Sequence, residues 1–131
     1  MQDWAGLLKL LEIKNLSVDF DGFMAVDDVD LSVDQGKVVG IVGESGSGKS
    51  TMARVITGLL PPEEGEILFH GQPLSPSFKD RSLDLLQRIQ MIYQMPDVAL
   101  NPRQKVKDVI GRSVEFYTGL KGEYKKARVL E

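Results

Sequence analysis

Residues 43 to 51 read G-E-S-G-S-G-K-S-T and place Gly43, Gly48, Lys49 and Ser50 on the pattern G-x-x-x-x-G-K-[ST]. The residue types have a physical logic. Glycines let backbone N–H groups turn inward toward phosphate oxygens, and Gly46 and Gly48 can take positive φ without steric cost. A helix that begins at this point offers unpaired N–H groups and the positive end of its dipole to an anion. Lys49 would place a point charge on β- and γ-phosphates, and Ser50 would offer a hydroxyl to Mg²⁺. Thr51 is expected to hydrogen-bond the α-phosphate. The flanks agree with this reading. Val38-Val39-Gly40-Ile41-Val42 is a short apolar run of the kind a buried parallel strand shows, and residues 52–60 are helix-compatible. The expectation is a strand, a phosphate loop and a helix in succession, binding a nucleoside triphosphate.

Composition narrows the remaining classes. At 131 residues the chain suits one domain, and 42% hydrophobic with 27% charged residues is ordinary for a soluble protein. A net charge of −3 gives no support for nucleic-acid binding, which would need a basic face. Without cysteine there are neither disulfides nor thiolate metal sites. No apolar run approaches the roughly 20 residues that span a bilayer, and the N-terminus lacks the pattern of a signal peptide. The expected location is cytoplasmic, without direct membrane insertion.

Along the chain, Trp4, Leu7, Leu8 and Leu11 have helix-like spacing, and residues 1–10 read as an N-terminal extension or linker. Alternating apolar residues predict a strand over 11–20, with Asp21-Gly22 as a turn, and a half-exposed strand over 29–34. Asp27, Asp28, Asp30 and Asp34 follow the strand period without the glycine of a calcium loop, which favours a solvated acidic face over a metal site. Pro61 to Gly65 breaks the chain, and 66–70 reads as a strand ended by Gly71. His70, the single histidine, is expected at a strand end on the surface. Leu83, Leu86 and Ile89 have helical spacing behind Ser82 as a possible N-cap. Residues 89–93 read as another core strand, with Met91 and Met95 as filler. Beyond the loop bracketed by Pro96 and Pro102, Val106, Val109, Ile110, Val114 and Tyr117 form an apolar helical stripe. Gly119 and Gly122 end it, and a charged helix begins at Glu123. The expected organisation is an extension over 1–10, a nucleotide-binding core over 11–94, and the start of a helical segment over 95–131.

These stretches together resemble the ATP-binding subunit of an ABC transporter, most closely the peptide-importer branch. Residues 11–18 (L-E-I-K-N-L-S-V) are similar to the family's opening strand, and 25–29 (A-V-D-D-V) to the next. Residues 43–51 resemble its Walker A loop, and Gly58-Leu59-Leu60-Pro61 with Gly65-Glu66-Ile67 resembles the segment after the Walker A helix. Gln94 sits where the family has its Q-loop glutamine, and Asp97 with Leu100-Asn101-Pro102-Arg103 resembles the sequence after it. The resemblance implies an α/β fold of the P-loop NTPase type, with an N-terminal antiparallel β subdomain and the beginning of a helical subdomain. It implies ATP and Mg²⁺ as ligands, held by Gly43, Ser45, Gly46, Ser47, Gly48, Lys49, Ser50 and Thr51. Phe20, or failing it Phe23, would stack on adenine. Lys49 and Gln94 would serve the reaction, with Ser50 and Gln94 at the metal. The implied partners are transmembrane permease subunits, reached through the Q-loop and helical region, and a second nucleotide-binding domain. The implied location is then peripheral, at the inner face of the cell membrane.

The sequence departs from the family pattern in what it lacks. The signature L-S-G-G-Q, the Walker B strand, the catalytic glutamate, the D-loop and the switch histidine are not present, and His70 lies too far upstream to replace the last. The expectation is the N-terminal part of a nucleotide-binding domain, marginally stable and prone to self-association. Two readings stay open: the energy-coupling ATPase domain of an importer, or a non-catalytic nucleotide-binding or assembly module with a formed phosphate loop. A P-loop kinase or GTPase is disfavoured, since no N-K-x-D motif is present.

Overall fold

Strands β1 (Lys9–Phe20) and β2 (Phe23–Asp34) form a long antiparallel hairpin that frames the first part of the chain. Asp21 and Gly22 both have positive φ, 49° and 87°, the twist-matched geometry of a two-residue turn. The Asp19 carboxylate accepts the Gly22 N–H at 2.7 Å and holds that turn. β3 (Glu64–Phe69) pairs with the other edge of β1, and a short β4 (Gln72–Pro73) comes after a similar turn at His70-Gly71. The sheet order is β2-β1-β3-β4, every pairing antiparallel. The computed structural model describes residues 9–95 and 100–131.

The pairing register slips between Ile13 and Leu16, where Asn15 has φ 48°. That bulge explains two of the aspartates. Asp30 accepts the Asn15 backbone N–H at 2.7 Å, and Asp28 accepts its side-chain amide at 3.0 Å. They are exposed, as expected, but they also fasten a bulge. Gly65 completes the arrangement: a Cβ there would lie 2.5 Å from the Asn15 carbonyl oxygen.

Helix α1 (Lys49–Ile56) lies against this sheet through Met52 and Val55, which join Ile13, Leu16, Val18, Val26, Ile67, Leu68, Phe69 and Leu74 in the core. Burying each large apolar side chain contributes on the order of 1.5–3 kcal/mol. The helix ends earlier than the pattern suggests, at Thr57 and a left-handed Gly58 with φ 76°. A 3-10 turn (Phe78–Asp80) precedes Ser82, the last residue of this unit.

The second compact unit runs from Leu83 to Glu131. It holds α2 (Leu83–Arg88), α3 (Val106–Thr118) and α4 (Gly122–Leu130). Gly111 is buried where α4 crosses α3, with Val129 and Lys125 at van der Waals distance from its Cβ direction. Lys125 pairs with Glu115 at 2.7 Å across the two helices. Of the predicted stripe, Val109, Val114 and Tyr117 are half-buried while Val106 and Ile110 stay exposed. Tyr117 accepts bonds from Gln87 on its carbonyl and Gln90 on its hydroxyl, which ties α2 to the end of α3.

Two expected core strands are not formed. Residues 38–42 are irregular, with Val38 99% and Val42 93% exposed, and residues 89–93 are irregular, with Ile92 91% exposed. A parallel strand needs backbone partners on its flanks, and every ladder among the described residues is taken up by β1 to β4. Hydrophobic runs specify a strand only where a neighbour exists to pair with it. Asp97 and Pro96 lie outside the described residues, as does the predicted helix-like start up to Leu8.

Candidate functional site

The segment from Gly43 to Thr51 is built around the side chain of Lys49. Its ammonium donates to the Gly43 carbonyl at 2.7 Å, to the Ser47 hydroxyl at 2.9 Å and to the Glu44 carbonyl. The loop therefore wraps its own cation, and the charge is held at its centre. Gly46 and Gly48 have φ 81° and 87°, both in the left-handed region that the sequence assigned to them. Gly48 is the N-cap of α1 and brings no capping side chain. The first turn contains no acidic residue, and the first helical bond runs from Met52 N–H to the Gly48 carbonyl at 2.9 Å. The N–H groups ahead of Met52 thus have no intrahelical acceptor, which leaves an electropositive helix start.

What places this loop is the β-sheet. A Cβ on Gly48 would sit 2.3 Å from the Ala25 carbonyl oxygen and 3.2 Å from Val26, both on β2. Only a residue without a side chain lets the loop's end rest on the strand. A cleft of about 210 Å³ opens alongside, bounded by Ala25 and Asp27 of β2, by Val42 and Gly43, and by Lys49 and Met52. On Gly43, a Cβ would meet the Ser47 hydroxyl at 2.6 Å and approach the Lys49 ammonium within 3.7 Å. The glycine leaves open the space beside the two polar groups that could receive an anion. A phosphate chain fits this chemistry: one central cation, a hydroxyl, and a helix start without an internal counter-charge.

The other predicted residues are distributed differently. Ser50 is exposed and Thr51 half-buried at the start of α1. Ser45 lies on the exposed part of the loop. Phe20 and Phe23 face one another across the β1–β2 turn, 42% and 64% exposed, and neither borders the cleft beside Lys49. Gln94 is exposed in an irregular stretch of the second unit. His70 has φ 49° at the β3–β4 turn, with its ring edge-on to Phe69 at 4.7 Å. Among the described residues no group of three or more potential acidic, histidine or cysteine ligands gathers.

Sequence reasoning missed Arg81. The residue as a whole is buried, and its guanidinium donates from Nε to the Ser75 carbonyl at 2.9 Å and from Nη1 to the Ile56 carbonyl at 2.7 Å. Burial lowers its pKa from the ordinary arginine value, yet a guanidinium stays charged in proteins. No periodicity marks this residue, because its partners are backbone carbonyls distant in sequence.

Comparison with known proteins gives a consistent picture. A family model described as ABC transporter matches residues 26–130. The chain is 39% identical over 121 residues to the oligopeptide transport ATP-binding protein OppF of Streptococcus mutans, covering 88% of this chain and 39% of that protein. It is 36% identical to the putrescine export system ATP-binding protein SapF of Escherichia coli, with 93% and 48% covered. It is 42% identical to a putative peptide import ATP-binding protein of Brucella abortus, with 82% and 32% covered. The chain thus spans less than half the length of these relatives. Among solved structures it is similar to the dimeric ATP-binding cassette MJ0796, at TM-score 0.69 and 26% identity, covering 92% of this chain and 54% of that one. The same cassette in a post-hydrolysis state, bound to ADP and Pi, matches with TM-score 0.68.

Proposed function

The chain belongs to the ABC transporter family, and from that premise we propose that it is the nucleotide-binding part of an energy-coupling ATPase subunit of a peptide importer. The observation that carries the proposal is the lysine-centred loop, whose end rests on β2 and whose helix start carries no acidic side chain. Relatives named for peptide and oligopeptide transport support the substrate class.

In this reading Lys49 exchanges its carbonyl partners for β- and γ-phosphate oxygens. The N–H groups at the start of α1, with those of Gly46 and Ser47, donate to the remaining oxygens. Gly43 and Gly48 keep side chains out of the path of the phosphates, and Thr51 donates to the α-phosphate. Mg²⁺, when bound, offsets triphosphate charge and aligns its oxygens, and Ser50 and Gln94 are the side chains that would hold it. Phe20 would supply a face for adenine. Gln94 and the helices after it would meet the permease subunits, and a second such domain would face the loop. The exposed side chains of Phe20 and Gln94 are compatible with contacts of this kind.

The test is calorimetric titration of Mg-ATP into the chain and into Lys49→Ala. Loss of a charge-assisted contact costs about 1.5–3 kcal/mol, so affinity should fall roughly 10- to 150-fold. Equal affinity for both proteins would rule out a phosphate role for Lys49. Saturable binding without phosphate release would assign the chain to a nucleotide-binding module that does not itself hydrolyse.

A further inference from the structure

Resting on that nucleotide reading, we propose that Arg81 is a positioning residue for the phosphate loop, acting from the opposite end of α1. Ile56 is the last residue of the helix, and its carbonyl belongs to the terminal set that has no intrahelical donor. Arg81 satisfies that carbonyl from 25 positions away in sequence, while its Nε holds the Ser75 carbonyl. One planar cation therefore ties the helix end to the segment after β4. Gly58 closes the same junction from the other side. Its carbonyl accepts the Phe78 N–H at 3.0 Å. A Cβ there would lie 2.6 Å from that nitrogen and 3.0 Å from Arg81 Cζ.

The geometry gives this clasp a reach beyond its own end. α1 has eight residues, a rod of about 12 Å. Met52 and Val55 bury one face of the helix, the Arg81 clasp adds a fixed point at its last residue, and the phosphate loop forms the other end. Releasing the clasp leaves the rod held by Met52 and Val55 alone, about which it can tilt and displace Lys49 and the N–H groups at the loop. Charge-assisted bonds depend on separations of about 2.7–2.9 Å, so a small tilt weakens phosphate contacts. Compensation of the helix dipole does not by itself call for Arg81, because Arg54 already places a cation in the last turn. What Arg81 adds is a buried, two-point attachment.

The experiment compares wild type, Arg81→Ala and Arg81→Lys by amide NMR spectra and by Mg-ATP titration, at a temperature where each is folded by circular dichroism. Arg81→Ala should shift the amide resonances of residues 46–51 as well as 57–60 and weaken Mg-ATP about 10-fold, with Lys recovering much of both. Should Arg81→Ala fail to fold, Gly58→Ala opens the same junction while keeping the cation, and the same two readouts apply. Shifts confined to 57–60 with unchanged affinity would overturn the proposal and leave Arg81 a simple helix cap. If wild type does not bind Mg-ATP, the nucleotide reading falls, and the loop resonances alone decide the role of Arg81.

Discussion

Gly48 must be glycine for two separate reasons, a backbone φ of 87° and a carbonyl oxygen 2.3 Å from where a Cβ would sit. Gly46 has the first reason alone, since nothing lies within 4 Å of its Cβ position. The pair separates strain from collision. Gly46→Ala should cost about 1–2 kcal/mol of stability from the dihedral alone. Gly48→Ala should cost more, because Ala25 must also give way. Thermal melts of the two variants check the order, and equal losses would show that the contact with β2 does not hold the loop. The motif made the glycines legible in the sequence and also gave the left-handed turns. The Ala25 carbonyl was not legible, since a backbone oxygen carries no sequence signature. Phe20 is a residue whose place was legible, since the alternation put it at the end of β1, where it stands exposed beside the Asp21-Gly22 turn.

At the scale of elements, local signals succeeded where the element supplies its own partners. The β1–β2 hairpin, the turn at Asp21-Gly22 and the helices α1 to α4 all arise from alternation, turn residues or 3.6-residue spacing. Residues 38–42 and 89–93 have equally clear apolar runs, yet neither is a strand, because pairing is a property of two segments. The α3–α4 hairpin illustrates a contact that sequence spacing hides, the Glu115–Lys125 pair at 2.7 Å. The hydrogen bond and charge of Lys125 hold the Glu115 carboxyl below its ordinary value of 4.5. A depressed carboxylate contributes stability that is present above its ordinary value and is lost as pH falls through the lower folded-state value. The helical unit should therefore loosen modestly on acidification below about pH 4.5. Glu115→Gln should remove that dependence when helix signal is followed against pH. An unchanged profile in the variant would mean that other groups control it.

Across the whole molecule, the apolar side chains of residues 38–42 stand exposed beside the glycine-rich loop, whose Gly48 rests on β2. Exposed apolar runs with unpaired backbone are sites for association with another chain. Sedimentation velocity should show reversible self-association, reduced by Val38→Lys, which adds a charge at a fully exposed position. A wild type that remains monomeric over the same concentration range would contradict this. The antiparallel sheet has a further consequence, for the order in which the chain acquires its structure. A hairpin closed by a two-residue turn forms within about 1–10 μs, long before contacts between distant segments. β3 reaches β1 only after the intervening residues have been drawn in, and Gly48 has no carbonyl to rest on until β2 exists. Destabilising the Asp21-Gly22 turn should then slow folding, whereas a substitution in the phosphate loop should chiefly speed unfolding. On this order the loop should mature late, on a sheet already assembled.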